Sequence, residues 1–146
     1  MSVTATVLEA YMEKYGWSFE ATNADHWKTG FNDGDHVFGL NIRLSSTFLL
    51  FEISPLIDID IEWDLWPEVL VELLEINDQL PILKVSLSSE GKVILTAESL
   101  TSGFDYDCFC NIVGILGEHA SSIRLKLFEI LHLDDMSLYK EPRYFS

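Results

Sequence analysis

The chain is expected to fold as an α+β single domain, an antiparallel sheet flanked by helices in the order α-β-β-β-α-β-β-α. Three observations lead there. Apolar residues recur at helical spacing in three separate segments, near the start, in the middle and at the end of the chain. Between those segments lie runs in which apolar and polar residues alternate, the mark of strands with one buried face. Neighbouring runs are joined by links short enough to close antiparallel hairpins.

The first helix is capped by Ser2 or Thr4 and runs to about Tyr15, with Leu8, Tyr11, Met12 and Tyr15 on one stripe. Gly16 ends it, because glycine accepts the left-handed backbone that follows a helix. Trp17, Phe19 and Ala21 then alternate with Ser18, Glu20 and Thr22 as a short strand, and residues 24–35 read as a polar connection ending in Asn32-Asp33-Gly34-Asp35. A second strand spans His36 to Leu44, with Phe38, Leu40, Ile42 and Leu44 facing one way. Ser45-Ser46 turn the chain into a third strand from Thr47 to Ser54, which Pro55 terminates.

A second helix starts near Asp64 to Pro67, where proline suits the first turn. Leu65, Val69, Leu70, Leu73 and Leu74 make its apolar face; Glu68, Glu72 and Glu75 make an acidic one. It ends around Asn77 to Leu80, before Pro81. Ile82–Ser88 and Lys92–Leu100 form a hairpin about Ser89-Glu90-Gly91, the clearest in the chain. Ser102 and Asp105 resemble a capping box before the last helix. That helix holds a 3.6-residue period from Phe109 through Ile112, Val113, Leu116, Ala120, Ile123, Leu127, Ile130 and Leu131. Gly114 and Gly117 inside it suggest close backbone approach or a bend. The domain is therefore expected over residues 1–131, with residues 132–146 as an irregular tail carrying Tyr139, Tyr144 and Phe145.

Composition narrows the function. Over 146 residues, 9 Lys and Arg against 24 Asp and Glu leave a net charge of −15, which repels phosphate and disfavours nucleic acid and anionic membranes. Aromatic residues along the whole length and 48% hydrophobic content separate the chain from disordered acidic sequences. No basic leader precedes the first helix, no apolar run approaches the roughly 18 residues a membrane helix requires, and only two cysteines are present, so a cytoplasmic location is expected.

From Phe38 to about Leu131 the chain resembles the YbjN-like family of small bacterial proteins, whose fold is similar to type III secretion chaperones. The likeness is carried by the strand Phe38-Gly39-Leu40-Asn41-Ile42-Arg43-Leu44 followed by Phe48–Ile53, by the run Leu73-Leu74-Glu75-Ile76-Asn77, by the hairpin Lys84–Leu87 through Glu90–Leu95, and by the final amphipathic helix. These are patterns of burial and turn. The resemblance implies an α+β domain with helices against an antiparallel sheet, often dimeric, with no known enzymatic activity; no cofactor is expected.

No chemical signature overrides that reading. Asp25, His26, Asp33, Asp35 and His36 lie close in sequence and could hold a divalent metal or act as an acid-base pair, which makes a small metal protein or enzyme the alternative function. Asp58, Asp60, Glu62 and Asp64 alternate with Ile59, Ile61 and Trp63, but the calcium-loop glycine and terminal acid are missing, so solvated acids on an amphipathic edge are expected. Cys108 and Cys110 point to opposite sides of a helix and are expected to pack; His119 and His132 are isolated. Walker, dinucleotide and nucleophile-elbow motifs are absent. Trp63, Leu65 and Trp66 are the candidate partner-binding residues: they suit either a core or an anchor for a second subunit or a client polypeptide. A non-enzymatic protein-binding module, chaperone-like or an adaptor or regulator, is the expected function, with a purely structural homodimer as a third possibility.

Overall fold

The computed structural model describes residues 1–34 and 36–132; Asp35 and nearly all of the expected tail, with Tyr139, Tyr144 and Phe145, lie outside the described residues. Helix α1 (Ala5–Tyr15) is followed by β1 (Glu20–Asn23), β2 (His26–Asp33), β3 (His36–Leu44) and β4 (Phe48–Ile53). A single 3-10 turn (Trp63–Leu65) leads into α2 (Trp66–Gln79), and β5 (Leu83–Leu87), β6 (Val93–Leu100) and α3 (Tyr106–Ile130) complete the order. The six strands form one sheet in the order β1-β2-β3-β4-β6-β5, with every pairing antiparallel. The fold class is the α+β domain expected, with one strand more than the five read from the sequence.

The extra strand is β2. Residues 24–35 are not a polar connection, because Trp27 within them is completely buried and pairs across the sheet with Ile42. Its indole N–H donates to a Glu9 carboxylate oxygen of α1 at 2.7 Å. The alternation in β2 is concealed by short or charged neighbours, and Gly30 has to be glycine: a Cβ there would lie 2.8 Å from the Phe38 carbonyl oxygen. The expected strand over residues 17–22 is correspondingly displaced. Trp17 and Phe19 approach the core as coil, and β1 is an edge strand of four exposed residues.

One face of the sheet carries the core. Trp27, Phe38, Leu40, Ile42, Leu49, Phe51, Ile53, Leu95 and Ala97 are all at most 2% exposed and alternate with outward residues as the pleat requires. Helix α3 crosses this face and α1 lies beside it. Phe109 of α3 is the hub, with the rings of Tyr11, Tyr15, Trp17, Phe51 and Tyr106 at centroid distances of 5.7–6.2 Å. Offset and edge-on aromatic pairs of this kind add to the area they bury. Helix α1 is capped by Thr4, whose Oγ1 accepts from the Val7 N–H, and ends at Gly16 with φ 92°. At α3 the cap is Asp105, which accepts from the Cys108 N–H at 2.9 Å; Ser102 does not serve. Helix α3 continues without a break through Gly114 and Gly117, and neither is a site of tight approach: an added Cβ would meet nothing within 4 Å at the first and only the Phe31 ring at 3.9 Å at the second.

Candidate functional site: the α2 corner

Helix α2 sits at the β5 end of the sheet, and its burial differs from the sequence expectation. Val69, Leu73 and Ile76 face the core, whereas Leu70 and Leu74, expected on the same face, are exposed together with Val71. Leu74 is 70% exposed. At 100° per residue, positions 69, 73 and 76 cluster on one side and positions 70, 71 and 74 on the other. The helix therefore has two apolar stripes, of which the protein covers one.

The candidate residues at its start separate in the same way. Trp63 is 89% exposed, on the 3-10 turn that feeds the helix. Trp66 and Leu65 are half-buried. Trp66 lines a cleft of about 230 Å³ with Ile57, Ile61, Lys92 and Val93. Leu65 lines an adjoining one of about 430 Å³ that runs to Leu131 and His132, the two clefts sharing Ile59 and Asp60. The acids 58–64 behave as a solvated edge: Asp58, Asp60, Glu62 and Asp64 are exposed while Ile59 and Ile61 turn inward, and Asp60 meets the Lys92 ammonium at 3.8 Å.

At its other end α2 secures the sheet edge. The Asn77 side-chain amide donates to the Val85 carbonyl at 3.0 Å, and its oxygen accepts from the Val85 N–H at 2.7 Å. In this way a side chain takes the place of a neighbouring strand at the middle of β5, and the helix that carries it covers the open edge. The Asn that closes the Leu73–Asn77 run is thus a backbone clamp, a role without a signal in a single sequence. The opposite edge, β1, is short and its register with β2 shifts between Ala21 and Asn23, which also obstructs strand addition. Between α2 and β5 the chain turns at Ile82, whose φ of 73° is left-handed and whose neighbours close a three-residue turn from the Leu83 N–H to the Pro81 carbonyl at 2.7 Å. A β-branched residue held there costs about 1–3 kcal/mol, and Ile82 is exposed.

The structure does not assemble the Asp/His cluster. His26 opens β2 and pairs in register with Arg43, whereas His36 pairs with Asp33 at the far end. Seven residues of extended chain put the two histidines roughly 24 Å apart. His26 Nε2 lies 3.3 Å from Asn41 Oδ1, the His36 ring packs edge-on against Phe38 at 4.5 Å, and Asp33 accepts a hydrogen bond from Ser121 of α3. Among the described residues no three His, Cys, Asp or Glu side chains converge as a metal site. Both cysteines are free and half-buried. The Tyr106 hydroxyl is held above its ordinary pKa by desolvation and by the Cys110 thiol beside it. No described helix is long and apolar enough to cross a membrane.

Neither a family model nor a curated protein matches the chain, but solved structures share its fold. YbjN from E. coli superposes with a TM-score of 0.62 at 17% identity over 86% of this chain and 93% of that one. A chain of the heterodimeric ExoU–SpcU complex of the type III secretion system of Pseudomonas aeruginosa gives 0.55 at 16% identity, covering 80% and 93%. The Yersinia pestis type III secretion chaperone SycH, in complex with a stable fragment of YscM2, gives 0.54 at 12% identity, covering 82% and 98%. The fold is therefore YbjN-like and secretion chaperone-like, as the resemblance implied.

Proposed function

We propose that this protein is a non-enzymatic polypeptide-binding module of the cytoplasm, chaperone-like or adaptor in role, that needs no cofactor. The observation that carries the reading is the α2 corner, where Trp63 stands 89% exposed at the head of a helix whose second apolar stripe is uncovered. An exposed tryptophan adds nothing to the core but is the residue type most often found as an interface anchor. Leu65 and Trp66, half-buried in adjoining clefts, would add to the contact. Structural likeness to SycH and to the ExoU–SpcU pair, both seen with polypeptide partners, supports the same reading. A homodimer closing on these apolar residues is the second reading, favoured by the uncovered stripe itself.

Co-purification from the native cell, read by mass spectrometry, tests the module. A near-stoichiometric polypeptide is expected with the wild-type chain. Trp63→Ala should weaken its retention by about 2 kcal/mol, roughly thirtyfold, without lowering the melting temperature. Recovery of the protein alone, or equal retention by the variant, contradicts the reading.

A further inference from the structure

We propose that the two adjoining clefts ahead of α2 receive a basic segment of the partner polypeptide; the inference rests on the polypeptide-binding reading and names the chemistry of the partner. Apolar side chains of that segment enter the clefts, and its Lys or Arg meet the acids around them. The alternation of residues 57–62 builds this arrangement. Ile57, Ile59 and Ile61 turn inward, which leaves Asp58, Asp60 and Glu62 in solvent. Ile59 and Asp60 belong to both clefts. The first, of about 230 Å³, closes against Trp66 and Val93. The second, of about 430 Å³, closes against Leu65 and Leu131.

The rim is mainly acidic. Asp60, Glu62, Asp64 and Glu90 line the clefts, against Lys92 and His132. Lys92 reaches Asp60 at 3.8 Å, while Glu62, Asp64 and Glu90 have no ion pair among the described residues. Carboxylates without counter-ions beside apolar clefts complement Lys and Arg flanking apolar side chains, and they turn away acidic competitors. Two other occupants fit less well. A second copy of the chain brings a net charge of −15 to this rim. Residues 133–146 follow directly from the second cleft, but their Lys140 and Arg143 are outnumbered by Asp134, Asp135 and Glu141.

The probe is a short alternating Lys/Leu peptide, titrated against the whole chain by fluorescence anisotropy beside Glu/Leu and Lys/Ser counterparts. Wild-type protein should bind the Lys/Leu peptide at least about tenfold more tightly than the Lys/Ser peptide, and should not bind the Glu/Leu peptide. Glu62→Lys combined with Asp64→Lys should weaken the Lys/Leu peptide at least about tenfold. Glu13→Lys combined with Glu20→Lys, exposed acids of α1 and β1, changes the net charge equally and should weaken it less than about threefold. Equal loss from the two pairs overturns the inference, because net charge alone then accounts for binding. Equal binding of the Lys/Leu and Lys/Ser peptides, or of neither, overturns it too. A stable dimer in sedimentation equilibrium that Glu62→Lys with Asp64→Lys dissociates gives the clefts to a second copy and also overturns it. Tighter binding of the Lys/Leu peptide after Tyr144→Ser with Phe145→Ser overturns it in favour of the chain's own segment. If a cellular partner is lost on Trp63→Ala while the Lys/Leu peptide fails these tests, only this inference falls and the module reading stands.

Discussion

Helices α2 and α3 lie against each other, linked by Glu72 and Lys126, yet they use their apolar residues differently. Along α3, Phe109, Ile112, Val113, Leu116, Ala120, Ile123, Leu127 and Phe128 are all buried, and even Arg124 is drawn in to stack on the Phe128 ring at 4.7 Å. Along α2, three apolar residues are buried and three are left in solvent, one helical face apart. A helix that only folds needs one stripe. The second stripe on α2 is surplus to folding, and with the exposed tryptophan ahead of the helix it supports the proposed binding surface.

Substitutions can break or sharpen that contrast. The largest effect belongs to the α3 side: Phe109→Ala removes the ring at the centre of five others and should cost about 3–5 kcal/mol in chemical denaturation. A loss below about 1 kcal/mol would show that α3 is not the principal core helix. Asn77→Ala deletes both bonds to Val85 and should cost about 1–2 kcal/mol, with faster amide exchange at Val85 as the specific sign of an opened edge. Gly114→Ala, where an added Cβ meets nothing, should stabilise the chain by about 0.5–1 kcal/mol through its unfolded state; destabilisation would reveal a helix contact absent from this structure.

The smallest effect is one of pH. The Cys108 N–H donating to Asp105 holds that carboxyl below its ordinary value of 3.8. A depressed folded-state pKa contributes stability that is present above the unfolded value and lost as pH falls through the folded one. The melting-temperature advantage of wild type over Asp105→Ala should therefore be constant above pH 3.8 and shrink below it. A gap that widens in acid contradicts this cap.

How far these regions were legible in the sequence follows the same division. Helix α3 and the β5–β6 hairpin could be read directly, because their periodic residues are apolar and their turns carry Gly or Ser. Strand β2 was hidden, since its buried Trp27 sits among His26, Lys28 and Gly30, and only the pairing with β3 shows which face it turns inward. In α2 the error was one of angle: Leu70 and Leu74 adjoin Val69 and Leu73 in sequence, and periodicity alone cannot say which half of a wide apolar arc meets the sheet. Trp63, Leu65 and Trp66 were visible as candidates, but only the structure separates the exposed ring from the two half-buried side chains. The Asn77 clamp depends on α2 ending beside β5, which is a tertiary fact.

The most direct test of the central claim is to measure folding and binding on one variant. Leu74→Asp changes a residue that is 70% exposed, so its unfolding free energy should stay within about 0.5 kcal/mol of wild type while the co-purifying polypeptide is lost. A variant that unfolds easily yet still binds through its folded fraction would place Leu74 in the fold and contradict the account.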